Sequence, residues 1–243
     1  MSFENFINLD NSELDVPIYR IMPIDRLLQC FEEKSIVLVP PKKWDDPFEN
    51  LLLSSQVVVS ESGEIGGIEP IRNQVFGQCW TLHRETDAMW RIYSPDKGGA
   101  KVKTTPRKLL GALNSCDSNF ADIHCFIGRV AYLTQTDLVT TLSGLDLFNP
   151  NGSGIARSLL YKRKEFSHEK EVRLIYTNGK GSLHKFSIDP CDLFDEIVFD
   201  PRSNEHLLKA YKTSIQNYGY KNRIEKSVLY QLPKGLVLKL IQR

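Results

Sequence analysis

Residues 166–176 read FSHEKEVRLIY and join a basic segment to a strand pattern. Residues two apart on a strand share a face, so the pattern predicts Glu169, Glu171 and Arg173 together, opposite an apolar face. Two carboxylates and a guanidinium on a mostly apolar strand are costly if they are buried without partners. They must therefore pair with each other, face water or serve a site. A cross-strand ladder of ion pairs is one of these readings.

The composition allows one large domain or two small ones with a genuine core, because the chain has 243 residues and is 41% hydrophobic. Its 31 basic and 30 acidic residues nearly cancel. A general binder of nucleic acid or of membrane surfaces usually has a basic excess, so the net charge does not indicate either class.

The five cysteines are scattered, without CxxC spacing or a zinc pattern, which favours reduced thiols in a cytoplasmic protein. The sequence predicts no metal site of this kind. The segment 1–10 lacks a basic region followed by a long apolar run, so no secretory signal is predicted. No window approaches 18 uninterrupted apolar residues, and no membrane span is expected.

Short helices mixed with strands, without strict alternation, predict one α+β domain over 16–243 after a loose lead-in at 1–15. Residues 134–152 are predicted to be irregular. Helices are predicted near 23–33, 85–93, 106–114, 154–164 and 203–218. Strands are predicted near 17–21, 35–39, 51–59, 75–82, 100–103, 123–133, 170–176, 183–188, 195–199, 223–230 and 235–241.

Several other residues are candidates for chemistry, and each has an ordinary structural alternative. Asp46 and Glu49 lie in the turn sequence Trp44-Asp45-Asp46-Pro47-Phe48-Glu49, where an aspartate commonly caps backbone amides. Thr81 ends a strand and either touches a ligand or caps the next helix. Trp90 and Tyr93 are three apart on a helix and form either core or a ligand platform.

The run Tyr161-Lys162-Arg163-Lys164 stands just before the glutamate strand. A solvated helix face is the ordinary reading of such a run, and contact with a phosphate is the functional one.

The order of these pieces resembles a bacterial family known as domain of unknown function 2971, over nearly the whole chain. The family more often has Asn-Asp-Pro-Phe-Glu where this chain has Asp45. The segments that carry the resemblance are Tyr19-Arg20, Trp44 to Glu49, Cys79-Trp80-Thr81, Met89 to Tyr93, Gly98-Gly99, Tyr161-Lys162, His168 to Arg173 and Glu196 to Arg202.

A second, more remote resemblance is to the ADP-ribosyltransferase superfamily. It rests on the order of Arg20 on an early strand, Thr81 on a middle strand and Glu169-Lys170-Glu171 on a late strand. Cys79-Trp80-Thr81 stands where that superfamily has Ser-Thr-Ser. The resemblance implies a fold of two packed, mostly antiparallel sheets with short flanking helices. It also implies NAD as substrate.

The chemistry implied by this resemblance is cleavage of the nicotinamide–ribose bond, which creates an oxocarbenium-like cation. Glu171 would stabilise that charge, and Arg173 would hold Glu171 ionised by lowering its pKa. Glu169 would orient the acceptor nucleophile. Arg20 would grip the pyrophosphate by paired hydrogen bonds.

Other contacts to the substrate are assigned by the same resemblance. Thr81 would join the NAD site, Trp90 or Tyr93 would stack on a ring, and Asp46 and Glu49 would form a supporting loop.

The expected function is therefore NAD-dependent transfer of ADP-ribose to a macromolecular acceptor, or NAD hydrolysis, by a toxin or phage-defence effector. A non-catalytic nucleotide-binding or structural module is the alternative, in which the same charged residues form a buried ion network. A third class is a nuclease that binds Mg²⁺ through Asp45, Asp46, Glu49 and Glu171, since hard oxygen ligands suit this ion.

Overall fold

A computed structural model describes residues 5–44, 46–58, 65–117, 119–233 and 235. The helices are α1 (Ile24–Glu33), α2 (Glu69–Arg72), α3 (Asp87–Tyr93), α4 (Pro106–Asn114), α5 (Ala121–His124), α6 (Gln135–Ser143), α7 (Ser153–Ser158), α8 (Pro190–Leu193) and α9 (Glu205–Asn217). The strands are β1 (Phe6–Ile7), β2 (Ile18–Pro23), β3 (Ser35–Leu38), β4 (Gln56–Val58), β5 (Ile65–Gly67), β6 (Phe76–Thr81), β7 (Gly99–Thr104), β8 (Cys125–Arg129), β9 (Ala131–Leu133), β10 (Tyr161–Arg163), β11 (Glu171–Tyr176), β12 (His184–Ser187), β13 (Glu196–Phe199) and β14 (Arg223–Lys226).

A mixed sheet of eight strands organises the molecule, in the order β1-β8-β11-β6-β2-β7-β13-β14. Its inner pairs are antiparallel, whereas the outermost pairs β1–β8 and β13–β14 are parallel. Three two-stranded sheets are added, formed by β9 with β10, β3 with β12, and β4 with β5. The predicted α+β class is confirmed. In place of the expected two packed, mostly antiparallel sheets, the described residues form one large mixed sheet and three small ones.

Strand β11 lies inside the large sheet and is buried on both faces. Val172, Leu174 and Tyr176 join the core cluster that includes residues of α1, α4 and α9, and Ile175 joins a second cluster on the other face. Glu171 and Arg173 share the face of Ile175, as the alternation predicts. The charged side chains therefore lie on the face that the smaller core cluster covers.

Local signals in the sequence account for several helices. Thr105 accepts a hydrogen bond from the backbone amide of Lys108 (3.3 Å), and Pro106 occupies the first turn of α4. Leu109 and Leu113 of this helix are buried one turn apart. Thr86 caps α3, accepting from the backbone amide of Met89 at 3.1 Å.

Three predicted boundaries are wrong. The strand predicted at 51–59 begins with a 3-10 helix, Leu52–Ser54, before β4. The strand predicted at 123–133 is α5 followed by β8 and β9, which pair in different sheets. The residues 134–152, predicted as irregular, contain α6, in which Leu138 and Leu142 are buried one turn apart.

The helix predicted at 154–164 is also wrong, because α7 ends at Ser158 and residues 161–163 form β10. This strand pairs in parallel with β9 along its whole length, from Tyr161 opposite Ala131 to Arg163 opposite Leu133. Pairing with a strand distant in sequence overrides the local helical pattern. The strand predicted at 235–241 lies outside the described residues, apart from position 235.

The segment predicted as a loose lead-in packs against the sheet from residue 5 onward. The Asn5 side-chain amide donates to the carbonyl of Cys125 at 2.7 Å, β1 pairs with β8, and Leu9 and Leu14 are buried. Among the residues with described positions, no helix has the length and apolar character needed to cross a membrane.

Candidate functional site

A cluster of five charged residues surrounds the start of β11, and it is called the charged cluster below. Its members are Glu49, Lys162, Glu169, Glu171 and Arg173. Lys162 is the hub: its Nζ lies 2.8 Å from Glu49 Oε1 and 2.6 Å from Glu171 Oε1, and it also contacts Glu169 Oε2. One ammonium group is therefore shared by three carboxylates.

Arg173 is the second cation of the charged cluster and is completely buried. Its Nε donates to Glu171 Oε2 at 2.6 Å, and its Nη1 donates to the carbonyl of Leu159 at 2.6 Å. Its Nη2 lies 3.0 Å from Glu49 Oε2, an ion pair that lacks hydrogen-bond geometry. The guanidinium also stacks on Trp44, 4.5 Å from the ring centroid. These contacts fix one geometry for Glu171.

Backbone contacts hold the two glutamates in place. Glu171 pairs with Thr81 across β11 and β6, and its amide donates to the Tyr132 hydroxyl at 2.8 Å. The Thr81 hydroxyl donates to the carbonyl of Glu169 at 2.6 Å and accepts from the His83 amide at 3.1 Å. Glu169 ends a 3-10 helix, and Lys170 bridges it to β11 in the left-handed conformation, with φ 43°.

The electrostatic environment separates the two glutamates. Burial raises the pKa of Glu171, but Arg173, a hydrogen bond from Glu169 and the charge of Lys162 outweigh burial and hold that pKa well below its usual range. Burial, together with the hydrogen bond to Glu171, raises the pKa of Glu169 to about 7. Burial lowers the pKa of Lys162, but Glu171 and its other carboxylate partners raise it overall. Lys162 and Glu171 are thus charged at neutral pH.

Two cavities meet at the charged cluster. The larger, about 460 Å³, is bordered by Trp44, Lys162, Phe166 and His168 among others. The smaller, about 120 Å³, is bordered by Tyr19, Trp80 and Met89 among others. The residues that border both cavities are Arg20, Cys79, Tyr93, Glu169 and Glu171. The predicted pair Arg20 and Glu171 therefore faces the same space.

Arg20 is a half-buried cation that borders both cavities. Within the described ranges it makes no ion pair or hydrogen bond, and its Nη1 is buried without a partner. Burial lowers its pKa, yet a guanidinium stays charged in proteins. A buried charge without a counter-charge is costly. Arg20 is therefore suited to bind an anion that enters the cavity.

The remaining predicted residues have mixed positions. Tyr93 borders both cavities, and its hydroxyl lies 3.5 Å from Glu169 Oε1. Trp90 does not border either cavity, because it is fully buried and donates from Nε1 to Glu85 at 2.7 Å. Thr81 borders the smaller cavity, and its hydroxyl donates a hydrogen bond to the backbone carbonyl of Glu169. Arg173 borders neither cavity and contacts Glu171 instead.

The loop that contains Asp46 and Glu49 lies beside the charged cluster. Asp46 caps the 3-10 helix Pro47–Asn50, accepting from the Phe48 amide at 3.1 Å, and it pairs with Arg163 at 3.1 Å. Glu49 points into the charged cluster. The guanidinium of Arg163 lies 4.4 Å from the ring centroid of Phe48. The turn thereby holds Glu49 beside Lys162 and Arg173.

Sequence reasoning did not single out Lys162, Tyr132 or Trp44 as site residues. The run 161–164 predicts either a solvated helix face or a contact with a phosphate, but β10 turns Lys162 inward between Tyr161 and Arg163, where it is buried. Tyr132 carried no local signal, because it meets Glu171 only through the fold.

Three of the carboxylates predicted for a magnesium-dependent nuclease, Asp46, Glu49 and Glu171, are paired with cations. Lys162 Nζ occupies the point that Glu49, Glu169 and Glu171 share. Both oxygens of Asp46 face Arg163, and Asp45 lies outside the described residues. In the part of the chain that the structure describes, no group of three or more His, Cys, Asp or Glu residues has an arrangement suited to a metal ion.

Comparison with known proteins gives a remote likeness of fold. No family model matches the chain, so membership of domain of unknown function 2971 is not confirmed, and no curated protein matches either. Three solved structures of DarT from Thermus sp. 2.9 are similar, in complex with carba-NAD+, NAD+ and ADP-ribosylated ssDNA. Their TM-scores are 0.40, 0.40 and 0.41, at 12%, 11% and 12% identity. The match covers 88% of this chain and 96%, 96% and 94% of theirs.

Proposed function

We propose that the two cavities bind NAD and that the charged cluster promotes cleavage of its nicotinamide–ribose bond, with transfer of ADP-ribose to water or to an acceptor. The observation that carries the proposal is the shared border of the cavities, where the unpaired cation Arg20 and the carboxylates Glu169 and Glu171 face one space. A ligand that suits this border carries an anionic group and a centre that becomes positive.

The anionic group is the pyrophosphate of NAD, which Arg20 would bind. Hydrogen bonds between arginine and phosphate oxygens are charge-assisted and often paired, which gives both affinity and orientation. Arg20 reaches this ligand without first breaking an ion pair, because it has none within the described residues. The larger cavity provides about 460 Å³ for the nucleotide.

The reaction breaks the bond between the nicotinamide nitrogen and ribose C1′. The bonding electrons leave with nicotinamide, which departs neutral, and C1′ acquires oxocarbenium character. An ionised Glu171 would stabilise that charge. An oxygen nucleophile then bonds to C1′ and loses its proton to solvent or to ionised Glu169. If the acceptor is a macromolecule, the chain would act as an effector of the toxin or phage-defence kind.

A second candidate function is binding of a nucleotide without cleavage. It is favoured by the pairing of Glu171, whose Oε1 contacts Lys162 and whose Oε2 contacts Arg173, both at 2.6 Å. A carboxylate flanked by two cations stabilises a nearby positive charge less than a free one. Glu169 is more available, since its Oε1 lies 3.5 Å from the Tyr93 hydroxyl and is not ion-paired among the described residues.

The test is release of labelled nicotinamide from NAD, with and without cell lysate as a source of acceptors. The wild type and Glu205→Gln, a change in an exposed residue, are expected to release nicotinamide at equal rates. Glu171→Gln is expected to be slower by about 100-fold or more, the order of magnitude for loss of one electrostatic stabiliser. If neither the wild type nor the two variants release nicotinamide but the wild type binds ADP-ribose, the second candidate function is favoured.

A further inference from the structure

The carboxylates of the charged cluster outnumber its cations. Glu49, Glu169 and Glu171 share Lys162 and Arg173, so a fully ionised cluster carries one excess negative charge. All five side chains are nearly or completely buried. An uncompensated charge in such surroundings is expensive, and binding of one proton removes it.

The geometry indicates where that proton resides. Both oxygens of Glu171 and both oxygens of Glu49 face a cation, whereas Glu169 faces Lys162 with only Oε2. Oε2 of Glu169 and Oε1 of Glu171 both contact Lys162 Nζ, so the two carboxyls lie side by side on one ammonium group. A proton on Glu169 can therefore be donated to Glu171 without displacing a cation.

We propose that Lys162 is a positioning residue that holds Glu169 and Glu171 as one proton-sharing pair, in which Glu171 stays ionised and Glu169 binds and releases the proton. The proton-sharing pair is proposed for the protein without ligand. Only its effect on ligand binding rests on the proposed function.

The groups that face the pair come from several elements. They are Lys162 of β10, Arg173 of β11, Glu49 of the 3-10 helix, Tyr93 of α3, Tyr132 of β9, Cys79 of β6, Arg20 of β2, and His168, which borders the same cavity. Burial raises the pKa of Glu169 to about 7, whereas burial raises the pKa of the Cys79 thiol and of the Tyr93 hydroxyl well above neutrality. Burial also raises the pKa of Glu49, but both Glu49 oxygens face a cation, whereas Glu169 keeps one oxygen without an ion pair among the described residues.

The consequence at the ligand is a coupling between protonation and binding. When Glu169 releases its proton, the wall of the cavities that Arg20 also borders gains a negative charge. Binding of a pyrophosphate then becomes less favourable, so the bound state prefers the protonated form. Binding of ADP-ribose near pH 7 is thus accompanied by uptake of up to one proton.

The pair is tested in the free protein by a pH titration of glutamate side-chain carboxyl ¹³C signals. The wild type is expected to have one carboxyl with a midpoint near pH 7, missing from Glu169→Gln. Lys162→Met is expected to raise the midpoint by about one to three pH units, because an opposite charge is removed, and Lys162→Arg is expected to restore it. The proposal is overturned if no glutamate carboxyl of the wild type has a titration midpoint above about pH 6. It is also overturned if the midpoint is the same in Lys162→Met as in the wild type.

A second variant covers the case in which Lys162→Met does not fold. Glu49→Gln leaves two carboxylates for two cations, so the midpoint of Glu169 is expected to fall by about one pH unit or more. If folded Glu49→Gln has the same Glu169 midpoint as the wild type, the claim that three carboxylates share two cations is wrong. Calorimetry of ADP-ribose binding in buffers of different ionisation enthalpy then measures proton uptake, expected in the wild type and not in Glu169→Gln. A protein that does not bind ADP-ribose refutes the proposed function, and the carboxyl titration still decides the pair.

Discussion

Replacement of Arg173 by methionine removes a buried cation while keeping a long side chain. The guanidinium is completely buried, and its partners are Glu171 at 2.6 Å, Glu49 at 3.0 Å and the carbonyl of Leu159 at 2.6 Å. In the variant, Lys162 alone must balance three buried carboxylates. The carbonyl of Leu159 also loses its side-chain donor.

The expected cost follows from the buried ion pairs. Removal of one partner of a buried pair leaves an uncompensated charge and costs about 3–5 kcal/mol. The total free energy of unfolding of a typical protein is about 5–15 kcal/mol, so Arg173→Met consumes a large fraction of it. For a chain of this size, the same change lowers the midpoint of thermal unfolding by roughly 6–20 °C.

Urea unfolding, followed by tryptophan fluorescence and circular dichroism, measures this cost. The matched control is Arg107→Met, which removes an exposed pair in which Arg107 donates to Asp15 at 2.9 and 3.0 Å. Solvent screens the exposed Arg107–Asp15 pair, so the control is expected to lose much less stability than Arg173→Met. A loss for Arg173→Met that is no larger than that of the control refutes the reasoning on the charged cluster.

Three further predictions concern the same region. Arg20→Gln is expected to weaken binding of ADP-ribose roughly 10- to 150-fold, since a charged hydrogen bond contributes about 1.5–3 kcal/mol, whereas Arg26→Gln on the exposed side of α1 leaves the dissociation constant unchanged. Gly77→Ala is expected to lower the free energy of unfolding by about 1–3 kcal/mol in urea, because the new Cβ would lie 2.8 Å from Trp44 Cζ2. The native pKa of Glu169, about 7, exceeds its ordinary value of 4.5, so the native state binds more protons between these values. The free energy of unfolding of the wild type relative to Glu169→Gln is therefore expected to fall by up to about 3 kcal/mol as pH rises through that window, and a flat difference contradicts the assignment.

Much of the fold was accessible from local patterns. The alternation in β11 predicted which side chains enter the core, because an inner strand repeats its environment every second residue. Helix α4 was predicted at its observed bounds from Pro106, and the structure adds the Thr105 cap and the buried leucines that stabilise it. Helix α6 was not predicted, although Thr134 followed three residues later by Asp137 is a capping pattern. In the structure the Asp137 amide donates to the Thr134 hydroxyl at 3.2 Å.

The site was only partly accessible from the sequence. Arg20, Glu169 and Glu171 were predicted together and border the same cavities. Lys162 was not predicted, because its burial depends on pairing between β10 and the distant β9. Trp90 was considered as a platform for a ring, but the structure buries it beside Glu85, where its indole proton has a partner. The spacing of residues along a helix predicts which side chains share a face, but it does not predict whether that face is covered by the core or borders a cavity.

A crystal structure with ADP-ribose tests the central claim most directly. The account predicts a pyrophosphate in contact with Arg20 and a ribose C1′ beside Glu169 and Glu171, at the border of the two cavities. ADP-ribose bound elsewhere on the protein, or cavities that stay empty at a saturating concentration with Arg20 unpaired, would contradict the claim.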